Sequence, residues 1–510
     1  MANQLEPSSV IAIVGSGAMG SGIAQVAAAA GHPVKLYDTR PEAVGAALEN
    51  IRKTFQMLAG KGRMTEDAAR EAGERLSAAS SLEDLAGAKL VVEAIVENLD
   101  IKRKLFGDLE ALVAEDCILA TNTSSISVTA LAAKLKRPDR FVGMHFFNPV
   151  PLMALVEVIS GLATSKEVAA TIHATAAAWG KSPVYAKSTP GFIVNRVARP
   201  YYGEGLRLLS EQAGDPATID AILREAGGFR MGPFELMDLI GHDVNFAVTQ
   251  SVFSAYFNDP RFSPSLVQQE LVAAGYLGRK SGRGFYEHGK DAAAPAPQSE
   301  PARPAPQSAT LRGQGALADA LADRLAASDI AVAREPGAAD GGIELSCGAA
   351  TVYLTDGRSA TQRAADSGVP NTVLLDLALD YRTAKRVALC AADQCDPLAW
   401  DTATGLMQAA GFAVSRLDDI PGMAVMRTVT MLANEAADAV NQGVCSPEGA
   451  DVAMQKGVNY PRGPLAWADA IGLPYVRQVL SNLGAAYGED RYRVSPLIQR
   501  KVAAGTGFYG

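Results

Sequence analysis

In GMHFFNPVPLMALVEVI, residues 143–159, His145 and Glu157 are the ionisable side chains of an otherwise apolar run. A buried carboxylate without a partner costs several kcal/mol or more, so Glu157 must reach water or be stabilised by a close neighbour. Pro149 and Pro151 remove ladder donors and must interrupt a strand that begins before them. The chain can then reverse and lay ALVEVI beside GMHFF, which brings Glu157 within reach of His145. An imidazole oriented by a carboxylate is the working pair of general acid–base catalysis. A lone histidine among aromatics is otherwise more often a core residue. Two further polar positions weigh on the catalytic side. ATNTSS, residues 120–125, ends an expected strand, where open α/β sheets place their ligands. The same run also suits a helix N-cap for SVTALAAKL. Asn195 interrupts the apolar PGFIVNR.

A second constellation points to a nucleotide. Gly15, Gly17 and Gly20 form G-x-G-x-x-G directly after the apolar VIAIV and at the start of an Ala-rich helix. A second strand ends in Asp38, eighteen residues past Gly20. That context gives the pattern its meaning. Gly15 permits the tight turn, Gly17 the approach of a pyrophosphate to the helix N-terminus, and Gly20 close helix–strand packing. Asp38 would accept hydrogen bonds from the adenosine ribose and repel a 2′-phosphate, which favours NAD over NADP. Arg40, two residues on, leaves NADP open.

These residues need elements to hold them. At 510 residues the chain has material for roughly three or four domains. Net charge is −8 and charged residues make up 20% of the chain, with no basic cluster of the kind nucleic acid requires. One local basic patch would still suffice for an anionic small molecule. Cys117, Cys347, Cys390, Cys395 and Cys445 lack zinc-ligand spacing, so no metal is expected and a reduced, cytoplasmic setting is. MANQLEPSSV lacks the features of a signal peptide, and no apolar run approaches a membrane span.

The expected layout has four domains joined by one linker. Residues 1–186 alternate strands (VIAIVG, PVKLYD, LVVEAIV, CILATNTSS, RFVGMHFF) with helices, an α/β Rossmann-type domain. Residues 187–288 read as all-α, with one long helix over GFIVNRVARPYYGEGLRLLSEQ. Residues 289–310 are rich in Pro, Ala, Gln and Ser and read as a semi-rigid linker. Residues 311–415 return to α/β around VLLDLALD and RVALCAA without a glycine-rich phosphate loop, a reduced Rossmann-like domain. Residues 416–510 are a second all-α domain. They repeat the first without a gap at an offset of 231, pairing Gly191 with Gly422, Arg196 with Arg427, Glu204 with Glu435, Asp238 with Asp469 and Gly241 with Gly472. An ungapped helical register of this length marks a duplication.

Taken together, GSGAMGSGIAQ, VVEAIVEN, NTSS, HFFNPVPLMALVEVI and TPGFIVNR resemble the short-substrate L-3-hydroxyacyl-CoA dehydrogenases over residues 9–288. The longer layout is similar to the bacterial long form of that family, linked with 3-hydroxybutyryl-CoA or 3-hydroxyadipyl-CoA oxidation, the latter in phenylacetate breakdown. The resemblance implies His145 as catalytic base, Glu157 as its paired carboxylate, Ser124 as a substrate contact and Asn195 as the asparagine reaching in from the helical domain. Asn148 matches the asparagine beside the histidine, and Glu97 and Lys102 match positions near the nicotinamide ribose. The cofactor-binding set is then Gly15, Gly17, Ala18, Met19, Gly20, Asp38, Glu97, Lys102 and Asn122. Arg52, Lys53, Lys61 and Arg63 are the candidates for the CoA phosphates. Met426 stands where the first copy has Asn195, so the second copy is expected to be non-catalytic. It would pack on the first copy as an internal pseudo-dimer, or the chain would form a homodimer. An ω-carboxylate on the acyl chain would call for a basic group, with Arg196 and Arg199 nearest Asn195 in sequence. Relatives that oxidise L-gulonate share the His–Glu pair without a CoA substrate, and a lens structural protein shares the fold. Both remain alternatives.

Overall fold

The computed structural model describes residues 4–290, 292–293, 295–337 and 342–510; the first residues of MANQLEPSSV and positions 291 and 294 of the linker lie outside them. Two units make up the chain, Met1–Arg196 with Gln442–Val458, and Val197–Asn441 with Asn459–Gly510.

The first unit is built on eight strands: β1 (Ile11–Val14), β2 (Val34–Tyr37), β3 (Leu76–Ala78), β4 (Leu90–Glu93), β5 (Ile118–Thr121), β6 (Phe141–Phe146), β7 (Leu155–Ser160) and β8 (Ser182–Lys187). Their order is β3-β2-β1-β4-β5-β6-β7-β8. Every pairing is parallel except β6 with β7. β1, β4 and β5 are buried at every position, as an apolar run covered on both faces must be. The cover comes from α1 (Ala18–Ala29), α2 (Pro41–Gly60), α3 (Glu66–Glu74), α4 (Leu99–Leu112), α5 (Val128–Ala132) and α6 (Lys166–Ala178). The five expected strands are present, and β7 folds back beside β6 across the NPVP turn. β3 and β8 escape sequence reading. β3 has a single buried position, and β8 carries Pro183 and ends the sheet, where proline is tolerated.

The long helix expected from residue 191 is broken. Phe192 adopts φ +46°, after which α7 (Val194–Val197) and α8 (Arg199–Ser210) follow, with Pro200 in the first turn of α8. Residues 442–458 group with the first unit, apart from the rest of 416–510. The Val444 carbonyl accepts from Lys187 N–H at 2.9 Å, and the helix Pro447–Gly457 packs on β7 and β8. A Cβ on Gly457 would lie 2.6 Å from a Leu155 methyl, so only glycine allows this approach.

In the second unit α8 is followed by α9 (Pro216–Glu225), α10 (Pro233–Ile240), α11 (His242–Ala255) and α12 (Leu266–Ala273). A mixed sheet comes next, formed by β9 (Ser308–Arg312), β10 (Ala331–Glu335), β11 (Glu344–Cys347), β12 (Ala350–Leu354), β13 (Thr372–Leu375), β14 (Arg386–Ala391) and β15 (Ala413–Arg416). Its order is β10-β9-β11-β12-β13-β14-β15, with α13 (Ala316–Ala326), α14 (Ala360–Ser367) and α15 (Pro397–Ala409) as connections. Then come α16 (Val425–Asn441), α18 (Pro464–Ile471), α19 (Leu473–Tyr487) and α20 (Pro496–Ala504); the helix Pro447–Gly457, α17, belongs to the first unit.

The Pro-rich segment is not a free spacer. Glu300 N–H donates to the Val414 carbonyl at 2.8 Å, the Gln298 carbonyl accepts from Ser415 Oγ at 2.7 Å, and Gln408 Nε2 donates to the Glu300 and Pro301 carbonyls. The segment is a strap bound largely through its backbone, with Arg303 also pairing to Asp401 at 3.1 Å, and such bonds need no apolar periodicity. β9 also begins at Ser308, inside the expected linker.

The duplication repeats local geometry as well as sequence. Phe192 and Met423 share the left-handed φ, at +46° and +54°. Asp238 accepts from the N–H groups of Phe285 and Tyr286, and Asp469 from those of Phe508 and Tyr509. The two copies also exchange ion pairs within the second unit. Glu204 of the first copy meets Arg427 (2.7 Å) and Arg491 (3.5 Å) of the second, while Glu435 of the second meets Arg261 (3.2 Å) of the first. This reciprocal pattern is the signature of a two-fold interface, here inside one chain where α8 packs on α16.

Arg427 and Glu204 are both fully buried, and the guanidinium also binds Glu211, Tyr487 and Tyr492. Removing Arg427 leaves Glu204 with Arg491 at 3.5 Å as its remaining cation, and breaking a buried pair costs up to about 3–5 kcal/mol. Arg427→Met is therefore expected to lower the urea midpoint of the second unit by that equivalent. Adding Glu204→Gln to the same chain should recover part of the loss. An Arg427→Met midpoint equal to wild type would remove the pair from the stability of the fold.

Candidate active site

The antiparallel register of β6 and β7 sets His145 opposite Glu157. His145 Nδ1 lies 2.7 Å from Glu157 Oε2, and both residues are buried, at 5% and 0% exposure. The carboxylate can only accept, so Nδ1 carries the proton and Nε2 is the nitrogen left to act as a base. Phe147 and Phe192 flank the imidazole, with ring centroids at 4.5 and 5.9 Å.

Glu157 has a second task. Its Oε1 accepts from the N–H groups of Ile193 (2.9 Å) and Val194 (3.0 Å), where α7 begins. These amides are the orphan donors of a helix start, and a carboxylate is their favoured partner. Asn195 is the next residue and is half-buried. One carboxylate thus fixes both the imidazole and the turn that carries Asn195. Arg196 is buried and donates to Gln442 Oε1 at 2.9 Å, a contact that commits it to the fold.

At the carboxyl ends of β4 and β5 lies a second buried pair. Lys102 Nζ sits 2.6 Å from Glu93 Oε1 and 3.0 Å from Glu97 Oε2, with Lys102 and Glu93 both sealed from solvent. Thr121 Oγ1 donates to the other Glu93 oxygen at 2.7 Å. Glu97 Oε1 gathers Thr123 Oγ1, the N–H groups of Ser124 and Ser125, and Ser125 Oγ. Burial alone would raise the Glu97 pKa; the Thr123 hydroxyl, Lys102 and Ser125 outweigh it and hold the carboxyl below its usual range. The ionised Glu97 therefore organises the NTSS turn and leaves Ser124 exposed at its tip. Asn122 Oδ1 accepts from Phe146 N–H at 2.8 Å, tying this turn to the end of the histidine strand. Asn148 is exposed two residues later, before a cis Pro149. Glu93 was missed by sequence reasoning, although LVVEAIV shows the same signal as the Glu157 run, a carboxylate inside an apolar strand.

A cleft of about 540 Å³ opens at the ends of β1, β2 and β4, lined by Gly15, Gly17, Asp38, Ala94 and Ile101 among others. Gly15 has φ +109°, and a Cβ there would lie 2.5 Å from the Ala94 carbonyl oxygen; one on Gly20 would lie 1.8 Å from the Gly15 oxygen. A Cβ on Gly17 would meet nothing within 4 Å, so the space above the turn is open. Ala18 and Met19 begin α1, whose N-terminus has no side-chain cap and no acidic residue in its first turn. Free amides and open space are what a pyrophosphate needs. Asp38 accepts from Ser16 N–H (2.9 Å) and Ser16 Oγ (2.8 Å). Burial pushes its pKa up, but these bonds and Arg40 outweigh that, and the carboxyl stays below its ordinary range. Arg40 turns back onto Asp38 at 3.5 Å. The residues present fit NAD.

The candidates for CoA phosphates divide. Arg52 donates to the carbonyls of Gly73 (3.2 Å) and Leu76 (2.8 Å) at the end of α3. Lys53 pairs with Glu49 one turn away at 2.6 Å. Lys61 and Arg63 are exposed beyond the end of α2. Among the described residues no cluster of His, Cys, Asp and Glu could hold a metal, and no helix is long and apolar enough to cross a membrane.

Comparison with known proteins agrees with this layout. The family model of the 3-hydroxyacyl-CoA dehydrogenase NAD binding domain matches residues 10–189. That of the 3-hydroxyacyl-CoA dehydrogenase C-terminal domain matches twice, over 191–288 and 422–507. The 3-hydroxybutyryl-CoA dehydrogenase reduced Rossmann-fold domain matches 352–421. The chain is 42% identical to a 3-hydroxyadipyl-CoA dehydrogenase of Escherichia coli (strain K12), over 98% of each. Its structure is similar to that of an Escherichia coli 3-hydroxybutyryl-CoA dehydrogenase, with a TM-score of 0.89, 42% identity and 98% and 99% of the two chains covered. An (S)-3-hydroxybutyryl-CoA dehydrogenase from Ralstonia eutropha is matched over its whole length by 56% of this chain, at 41% identity and a TM-score of 0.54. Two copies of one helical family domain, each following a Rossmann-type sheet, leave no other assignment: the chain belongs to the 3-hydroxyacyl-CoA dehydrogenase family and is an NAD-dependent oxidoreductase.

Proposed function

We propose that the protein oxidises a short or dicarboxylic L-3-hydroxyacyl-CoA to the 3-oxoacyl-CoA, with His145 as general base. The observation that carries this reading is the buried 2.7 Å bond between His145 Nδ1 and Glu157 Oε2. His145 Nε2 takes the proton of the substrate 3-hydroxyl as the carbonyl forms. Glu157 holds Nδ1–H and stabilises the imidazolium that results. Ser124 and Asn195 hold the reacting oxygen, so that C3 is presented in one orientation. Bound NAD supplies the two-electron acceptor for the C3 hydrogen. Gly15, Gly17, Ala18, Met19, Gly20 and Asp38 hold its adenosine and pyrophosphate half, and Glu97, Lys102 and Asn122 shape the nicotinamide end. The CoA phosphates fall to Lys53, Lys61 and Arg63, and Asn148 contacts the substrate beside the histidine.

The second helical copy has Met426 at the Asn195 position and takes no part in chemistry. We infer that it supplies within one chain the contact that a dimer would otherwise make, which the exchanged Glu204–Arg491 and Glu435–Arg261 pairs support. The free state of all five cysteines supports a reducing, cytoplasmic setting.

The test is NADH formation with purified protein on 3-hydroxybutyryl-CoA, 3-hydroxyadipyl-CoA and L-gulonate. Turnover of a CoA ester with NAD, and at least tenfold less with NADP, is expected. Turnover of L-gulonate alone would move the protein to the sugar-acid branch, and turnover of none would reduce it to a structural relative.

A further inference from the structure

The wall of the dinucleotide cleft runs from Asp38 to Ala94, Ile95 and Val96, the three residues between Glu93 and Glu97. In the first sheet β1 has β2 and β3 on one side and β4 and β5 on the other. A dinucleotide lies across such a switch point with its halves on opposite sides. An adenosine held by Asp38 at the end of β2 therefore leaves the nicotinamide to the ends of β4 and β5, where Glu93, Glu97 and Lys102 meet.

The charges of that cluster do not cancel. Lys102 Nζ bonds both carboxylates, Glu93 Oε1 at 2.6 Å and Glu97 Oε2 at 3.0 Å. Two negative charges share one positive, which leaves one net negative charge. Glu93 Oε1 also accepts from Ile95 N–H at 2.7 Å, and Oε2 from Thr121 Oγ1 at 2.7 Å, so all its neighbours favour the ionised form. The Glu93 and Lys102 side chains are sealed, whereas the Glu97 side chain is 37% exposed. Other charges nearby differ in kind. Asp100, Lys104 and Asp108 on α4 are exposed, where salt and water screen them. Glu157 on β7 is bound to His145 Nδ1 and two backbone amides.

The nicotinamide ring is a cation in NAD and neutral in NADH. A neutral Lys–Glu pair would treat the two forms alike. A second carboxylate on the same ammonium does not, because a negative charge held away from water favours a neighbouring cation. We propose that Glu93, acting through Lys102 and Glu97, is a positioning residue that keeps one net negative charge at the nicotinamide end and so favours bound NAD over bound NADH. The inference rests on the placement of that end at Glu97, Lys102 and Asn122 given above. It suits an enzyme that takes up the oxidised cofactor and must release the reduced one.

The experiment measures Kd for NAD, NADH and ADP-ribose by calorimetry on the full-length chain. ADP-ribose has the adenosine, pyrophosphate and second ribose without the ring. The variants are Glu93→Gln and Glu93→Gln combined with Lys102→Met. A glutamine oxygen can still accept from Ile95 N–H and Lys102, and its NH₂ can donate to the Thr121 hydroxyl, which accepts as well as donates. The single variant thus removes a charge and keeps the hydrogen bonds. The double variant removes the ammonium too and restores one net negative charge, on Glu97. Glu93→Gln is expected to raise the ratio of Kd for NAD to Kd for NADH about 10-fold, the scale on which one charge shifts a neighbouring ionisable group. ADP-ribose should stay within a few-fold, and the double variant should bring the ratio back towards wild type. A merely structural role would weaken NAD and NADH together, and the second substitution would not reverse it.

Equal weakening of NAD and NADH with ADP-ribose unchanged would overturn the charge selection and leave the nicotinamide placement standing. If all three ligands hold, or all three move together, the ring is not at this cluster, and the placement falls with the proposal. A ratio that rises in the single variant and stays raised in the double one also overturns it, because the charge has been restored. Should Glu93→Gln fail to fold, Glu97→Gln removes the same charge from a part-exposed side chain; the same rise is expected there, and an unchanged ratio overturns the proposal.

Discussion

Replacing His145 by alanine is expected to lower kcat on the CoA ester by about 10²–10⁴, the range of a positioned acid–base group. The fold should tolerate the change. Glu157 keeps its bonds to Ile193 and Val194 N–H when the imidazole is gone, so its carboxylate is not stranded. The space left is bordered by Phe147 and Phe192, side chains large enough to shift into part of it. The NAD cleft lies on β1, β2 and β4, whereas His145 lies on β6. Cofactor affinity should therefore stay within a few-fold of wild type while turnover collapses. Steady-state kcat measured beside an NADH titration checks both halves. A variant that binds NADH, melts as wild type does and turns over within tenfold of it would remove His145 from the base role.

The part of the site legible in sequence is the part that violates local composition. Glu157 stands out because a carboxylate in LMALVEVI needs a reason, and two prolines upstream tell where the chain must reverse. The register follows, since a strand that turns back across NPVP sets position 157 opposite position 145. Glu93 in LVVEAIV and Asp376 in VLLDLALD break composition in the same way, and both have structural partners. Asp376 accepts from the N–H groups of Ala424, Val425 and Met426. Two of these stand at the offset of 231 from Ile193 and Val194, so the second sheet answers its helix start with a carboxylate as the first does with Glu157. The sequence register conceals this, because Asp376 lies 219 residues after Glu157 and not 231. What stays illegible is backbone business. The strap over residues 298–304 binds largely through N–H and carbonyl groups, and α17 packs on β7 through the space that Gly457 leaves. Neither leaves a trace in side-chain pattern. The Arg52 contacts are hidden for a related reason, since its acceptors are carbonyls brought near only by the α2–α3 pairing.

Glu157→Gln is expected to be as damaging as loss of the histidine, about 10³–10⁴ in kcat, for a reason that lies in the amide. Wild-type Glu157 presents an acceptor on both sides, Oε2 to His145 Nδ1–H and Oε1 to the Ile193 and Val194 N–H groups. A glutamine has one oxygen and one NH₂. If the oxygen faces the two backbone amides, the NH₂ faces Nδ1 and forces it to accept. The ring proton then moves to Nε2, the base is capped, and the wrong tautomer costs on the order of 10⁴. If the oxygen instead faces Nδ1–H, the NH₂ points at two other donors. Three donors in contact cannot persist in a buried site, so the start of α7 must move and Asn195 with it. The two outcomes separate in the kinetics. A capped base lowers kcat and leaves KM close to wild type, because substrate contacts stay in place. A displaced α7 raises KM as well. Turnover within tenfold of wild type would mean that the ring does not need Glu157 to hold its tautomer, and the acid–base assignment of the pair would fall.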